Sequence, residues 1–163
     1  MSALDAELRA LMPDLLAYFL RRLDNREDAA DALSETLIVI WRKQRSLPTD
    51  AEGRRRYAFG VARRVLLAAH RGRLKHRAIA EALRAELSVS AENPVDVELD
   101  EALALLTDRD RELVLLVAWE GFGVAEAGAV LGLKPDAARA RYSRARARLR
   151  ETLSSESAAL QSR

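Results

Sequence analysis

The sequence predicts an all-α protein made of two small helical domains, and three observations carry that reading. Helix-forming residues dominate its 163 positions. Apolar side chains recur at three- and four-residue spacing, and no segment alternates apolar and polar residues over the roughly four to eight positions a half-buried strand requires. Turn-forming clusters fall at Asp24 and Asn25, at "RSLPTDAEG" (45–53), at "SVSAENP" (88–94), at Gly121 to Gly123 and at Gly132 to Pro135. The cluster at 88–94 has the composition of a domain linker. The expected division is a helical domain over 1–78, a linker over 79–96, a second helical domain over 97–155 and a flexible tail over 156–163.

Composition narrows the chemistry. The chain has no cysteine and only two histidines, which excludes disulfides and thiolate metal sites. His70 and His76 are six residues apart and face different directions on a helix, so they make no metal pair, and no metal or other cofactor is expected. No nucleophile-base pair, metal cluster or phosphate-cradling glycine loop suggests catalysis. No apolar run approaches the roughly 20 residues that span a bilayer, and "MSALDAELRA" lacks the basic start and apolar core of a signal peptide. The expectation is a cytoplasmic protein with no membrane insertion.

Net charge is only +2, but its distribution is uneven. Residues 53–80 hold nine Arg or Lys and no carboxylate, and residues 134–150 hold seven Arg or Lys with Asp136 as the only acid. The rest of the chain is therefore acidic. Two concentrated basic segments suit a polyanion, and an acidic remainder suits a basic partner. Solvated helix faces are the simpler alternative for each.

Over 26–44, Leu33, Thr36, Leu37, Ile40 and Trp41 share one face at 100° per residue, and this face is expected to be buried. Asp24, Glu27, Asp28, Asp31 and Glu35 lie opposite. Acids in the first turn stabilise the positive end of the helix dipole by about 0.3–1 kcal/mol each. That explains Glu27 and Asp28 but not Glu35, which lies more than two turns in, beside Ile38 and Val39. Apolar groups among acids predict a protein-docking face formed by Asp28, Asp31, Glu35 and Ile38.

Over 54–77, Tyr57, Ala58, Val61, Val65 and Ala69 form the expected inward stripe. Arg56, Arg63, His70 and Arg77 recur every seven residues on the outward side, a spacing that drifts only about 20° per step. They make a cationic line provided the helix continues through Gly72. Phe59 projects near this line. There it either stacks an unpaired base between phosphate-binding arginines or tucks under the preceding loop as core.

Over 123–151, Val124, Ala127, Val130 and Leu131 give a short helix one apolar face. Gly132 and Leu133 make a turn, and Pro135 suits the first position of the next helix. This is helix-turn-helix spacing. In the second helix Ala138, Tyr142, Ala145 and Leu149 point inward, leaving the small or short residues Asp136, Ala140, Ser143 and Ala147 outward. Arg139, Arg146 and Arg150 flank that ridge on one side, Arg144 and Arg148 on the other. A narrow ridge with cationic walls fits a DNA major groove, which is about 12 Å wide.

In this order, "REDAADALSETLIVIWR" (26–42), "YAFGVARRVLLAAHRGR" (57–73) and "LTDRDRELVLLVAWEGFGVAEAGAVLGLKPDAARARYSRARARLRE" (106–151) resemble a bacterial RNA polymerase sigma factor of the extracytoplasmic-function (ECF) group. The resemblance covers about residues 8–153. It implies that the first piece binds the polymerase clamp, with Asp28, Asp31 and Glu35 facing a basic coiled coil of the largest catalytic subunit. It implies that the loop over 43–56 and the basic helix after it melt and hold the minus-10 promoter element, and that the Arg-rich final helix reads the minus-35 element as duplex. Ser34, Leu37, Tyr57 and Arg64 depart from the residues usual in the family, as do Gly123 and Lys134, which stand where hydroxyl side chains often cap the two helices of the motif.

The expected function is promoter-specific transcription initiation together with core RNA polymerase. Asp136, Arg139, Ala140 and Ser143 are assigned to minus-35 base edges, with Lys134, Arg141, Arg144 and Arg148 nearer the backbone. Arg56, Phe59, Arg63 and Arg64 are assigned to the minus-10 strand. Promoter DNA and core polymerase are the expected partners, with an anti-sigma factor as a possible third. A stand-alone helix-turn-helix regulator is the alternative; it explains 106–151 but leaves the acidic helix without a role.

Overall fold

The computed structural model describes residues 3–87 and 97–161, with side-chain surroundings for 4–72 and 99–155. Seven α-helices and no strand occur among the described residues. The chain forms two compact units, Met1–Ser90 and Ala91–Arg163. Of the stretch read as a linker, 79–96, the half over 88–96 lies outside the described residues, and the half before it is helical.

In the first unit α1 (Ala3–Leu20), α2 (Arg26–Arg42) and α3 (Ala51–Leu87) pack pairwise. The α2 start is set by Asn25, which has an extended backbone; its side-chain Oδ1 accepts the Asp28 N–H at 2.7 Å, while its side-chain amide donates back to the Asp28 carboxylate at 2.8 Å. This reciprocal arrangement satisfies an otherwise orphaned helix donor. A short 3-10 turn over Gln44–Ser46 follows α2. Asp50 then accepts the Gly53 N–H at 2.6 Å and caps α3. That hydrogen bond, stronger than the opposing effect of burial, holds the Asp50 carboxyl below its ordinary 3.8. Arg54 clasps the turn to α1: it pairs with both carboxylate oxygens of Glu7 and donates to the carbonyls of Pro48 and Thr49.

The core of this unit is Leu15, Tyr18 and Phe19 of α1, Ala29, Ala32, Leu33, Thr36 and Ile40 of α2, and Ala58, Phe59, Val61, Ala62, Val65 and Leu66 of α3. Thr36 is tolerated there because its hydroxyl donates to the Ala32 carbonyl at 2.8 Å. Two positions differ from the sequence reading. Trp41, placed on the buried face, is 60% exposed, because it stands at the rim of that face in the last turn of α2. The α3 helix passes through Gly72 without interruption and continues to Leu87, nine residues beyond the expected domain edge. Arg77 belongs to this helix, but its side chain lies outside the described surroundings.

The second unit contains α4 (Val97–Ala104), α5 (Asp108–Ala118), α6 (Val124–Val130) and α7 (Pro135–Gln161). The stretch 156–163, read as a flexible tail, is helical to Gln161, with the last two residues outside the description. Thr107 caps α5 by accepting the Asp110 N–H at 3.2 Å. Arg111 donates to the carbonyls of Leu103 and Leu106, tying the end of α4 to α5. Leu103, Leu106, Val114, Leu115 and Ala145 form one buried cluster, against which Leu99, Tyr142 and Leu149 pack.

Candidate nucleic-acid interface

The helix-turn-helix is α6, its turn and the first half of α7. Gly132, at φ 70°, takes the left-handed conformation that ends α6. Its N–H donates to Ala129 and that of Leu133 to Gly128, the paired bonds of a Schellman cap. Pro135 then opens α7, where its missing N–H costs nothing. The two helices touch at Gly128: a Cβ there would stand 2.4 Å from the Ala138 Cβ. Gly128 thus sets how closely the motif closes. Gly123 contributes no side-chain cap to α6, as the absent hydroxyl predicts.

This packing fixes which side of α7 meets solvent. Ala138 and Ala145 are buried and Tyr142 and Leu149 half-buried, as their spacing requires. Lys134, Asp136, Arg139, Ala140, Ser143, Arg144, Ala147 and Arg148 are exposed. The small residues form the ridge and the cations its walls. Asp136 and Arg139 pair across one turn at 3.1 Å on the exposed side of α7.

Arg141 differs from the other cations. It is half-buried, and its Nη1 donates to Asp110 Oδ1 at 2.8 Å, reaching from α7 to the first turn of α5. Burial would raise the Asp110 pKa; the Arg141 guanidinium and the Thr107 hydroxyl together outweigh it and hold the carboxyl below its ordinary 3.8. Arg141 therefore positions the helix in this structure. The partner lies 31 residues away in sequence, so periodicity within α7 carried no signal of it.

On α3 the assigned residues divide. Arg64 is exposed, Arg56 and Arg63 are half-buried, and Phe59 is fully buried at 0% exposure. Assigning Phe59 to the minus-10 strand is therefore corrected. Its ring meets Tyr18 edge-to-face, with centroids 5.5 Å apart, and the Arg55 guanidinium lies 5.1 Å over it. A base has no access to it. The reason is the width of the buried arc. Because α3 packs on both α1 and α2, Ala58, Val61 and Val65 are buried together with the adjacent row Phe59, Ala62 and Leu66. Arg56, Arg63 and His70 border this arc.

On α2, Asp31, Glu35 and Ile38 are exposed and Asp28 is half-buried beside its cap. Ile38 is 49% exposed, an apolar side chain set among acids. The assigned residues thus occupy three separate faces, on α2, α3 and α7.

Comparison with known proteins identifies the family. Residues 96–149 match the family Sigma-70, region 4. The chain is 37% identical over 146 residues to the ECF RNA polymerase sigma factor SigF of Caulobacter vibrioides (strain NA1000 / CB15N), covering 85% of this chain and 79% of that protein. Its fold is similar to the sigma factor RpoE in the co-crystal structure with the anti-sigma factor NepR from Bartonella quintana, with a TM-score of 0.68, 24% identity, and coverage of 94% of this chain and 98% of that one. CnrH in complex with the cytosolic domain of CnrY gives a TM-score of 0.58 at 22% identity, covering 90% and 82% of the two chains. With its likeness to SigF over most of both chains and its region 4 helix-turn-helix, the chain belongs to the ECF sigma factors of bacterial RNA polymerase.

Proposed function

We propose that this promoter-specific transcription initiation factor binds core RNA polymerase through Asp28, Asp31, Glu35 and Ile38 of α2, and promoter DNA through α3 and α7. The observation that carries the reading is the segregation of charge onto exposed faces of different helices: acids with Ile38 on α2, arginines around a ridge of small residues on α7. An acidic face with an exposed apolar residue at its C-terminal end suits a basic protein surface, whereas the α7 ridge admits base edges and its walls reach phosphates. Asp136, Arg139, Ala140 and Ser143 meet the minus-35 bases, and Lys134, Arg144 and Arg148 the backbone, with Arg141 holding the helix in place. Arg56, Arg63 and Arg64 contact the minus-10 strand. Residues 1–78 act as the polymerase and minus-10 module and residues 97–155 as the minus-35 module. The chain catalyses nothing itself. A regulator working without polymerase would leave the acidic face of α2 unused.

RpoE of Bartonella quintana is held by an anti-sigma factor, NepR. A partner of that kind is proposed for this chain, covering the faces that polymerase or DNA would take. In vitro transcription with purified core enzyme and genomic template, followed by start-site mapping, tests the function. New starts that share an upstream motif support it; starts identical to those of core enzyme alone contradict it.

A further inference from the structure

Some glycines of this chain are required by its packing: a Cβ at Gly53 would collide with the Asp50 carboxylate, and one at Gly128 with Ala138. Gly60, inside α3, is not. A Cβ there would meet no atom of another helix, and no side chain beyond its two chain neighbours, within 4 Å. A glycine inside a helix nevertheless weakens it relative to alanine. The fold by itself therefore favours alanine at position 60.

On the helix surface Gly60 is ringed by cations. With 3.6 residues per turn, Arg56, Arg63, Arg64 and Arg71 fall within about 60° of it, and Arg56 and Arg64 stand about 6 Å from it along the axis in opposite directions. Residues 53–80 contain no carboxylate, and among the described residues no ion pair engages Arg63 or Arg64. Gly72 is equally open, but it points about 120° away from Gly60, with Ala68 and Ala69 in the turn before it. An acidic protein surface is the other occupant to weigh, because Leu67 on the same face is 39% exposed. Protein interfaces are depleted of charge at their centres, however, and here the centre is bare backbone among guanidinium groups. That arrangement suits a row of phosphates better than a protein.

We infer that Gly60 is a positioning residue: its missing side chain lets the phosphodiester backbone of the minus-10 DNA lie directly against α3, within reach of Arg56, Arg63 and Arg64 on either side. Its role is steric, because the interior of a helix offers no free N–H to a phosphate, and the arginines supply the charge. The inference rests on the proposed contact of those three arginines with the minus-10 strand.

The test compares the parent with Gly60→Ala, Gly60→Leu and Gly60→Lys, using the full chain for stability and holoenzyme assembled with core polymerase for DNA. The probes are one promoter from the mapped start sites, as duplex and with the minus-10 segment of its template strand omitted, which separates the two forms in which the backbone can be presented. Gly60→Ala should raise the thermal midpoint of the first unit by about 2–8 °C, since it strengthens the helix and meets nothing. Gly60→Leu and Gly60→Lys should bind at least one probe about 5- to 150-fold more weakly than the parent, the range that overfilling a close contact gives. The lysine variant discriminates most, because on an open surface an added cation tightens binding and steepens the salt slope by about one. Core-polymerase retention should be unchanged for all three. A Gly60→Lys holoenzyme that binds both probes as tightly as the parent, or more tightly, would overturn the inference. So would a lowered midpoint for Gly60→Ala, which would give the glycine a role in packing, or a loss of core-polymerase retention by the Leu and Lys variants, which would assign the notch to a protein partner. If the parent holoenzyme itself binds neither probe, the underlying reading fails and this inference falls with it. Failure confined to the Gly60 variants leaves that reading standing.

Discussion

Arg141 and Asp110, 31 residues apart, meet at 2.8 Å and join α7 to the first turn of α5. The aspartate simultaneously donates its N–H to the Thr107 cap. One carboxylate thus helps start a helix and hold the neighbouring helix in register. Arg141→Ala should destabilise the second unit by about 1–3 kcal/mol, because it leaves a half-buried carboxylate without its charged partner. Thermal unfolding with the far-UV helix signal checks this; an unchanged midpoint would place Arg141 with the DNA-contacting arginines instead.

The same pair sets an acid limit. The folded Asp110 carboxyl titrates below its ordinary 3.8, so its contribution is fully present above about pH 4 and is lost as the pH falls through the folded value. Asp110→Asn should flatten the acid limb of the stability curve, with its largest deficit near neutral pH and convergence with the parent at low pH. Parallel curves for the two proteins across this range would contradict the linkage.

Phe59→Ala should cost about 3–5 kcal/mol, the price of a large core-to-Ala truncation, and Phe59→Leu much less. In the Leu variant, DNA binding per folded molecule should equal that of the parent. Denaturant unfolding paired with promoter binding separates this from a base-stacking role, in which stability would hold and binding would drop.

Gly128→Ala drives a methyl against the Ala138 Cβ, so overpacking should cost about 1–3 kcal/mol. Ala138→Gly alone should cost about 1 kcal/mol in helix propensity. The double variant should be more stable than the sum of the single changes, since the second opens room for the first. Strict additivity in the cycle would mean that the two residues do not touch.

Arg139→Ala and Arg144→Ala should separate reading from gripping. Losing Arg139 should relax discrimination at one minus-35 position by about 1–3 kcal/mol, whereas losing Arg144 should weaken all sequences alike and lower the salt slope by about one. Binding of a randomised minus-35 duplex pool at several salt concentrations distinguishes them; equal profiles for both variants would refute the division.

Much of this architecture was legible because it is local. The helix-turn-helix follows from Gly132, Pro135 and the spacing of Ala138, Tyr142, Ala145 and Leu149, all within a few turns of one another. The outward ridge of α7 follows from the same periodicity. What escaped depends on tertiary contact. The Arg141–Asp110 and Arg54–Glu7 pairs connect residues 31 and 47 positions apart, and no spacing rule reaches so far. Phe59 was ambiguous because a single-stripe reading assumes one packing partner, while α3 has two and buries a wider arc. Trp41 sat on the edge of the expected buried face, and whether an edge residue is covered depends on a neighbour the sequence does not name.

The account stands or falls on whether the acidic face of α2 engages polymerase. Retention of the chain by purified core enzyme, compared with Glu35→Lys at low and moderate salt, measures this directly. The prediction is tight retention of the parent and at least a tenfold loss for the variant, with its helix content and DNA affinity intact. Equal retention of the two proteins, or none of either at low salt, would contradict the central claim.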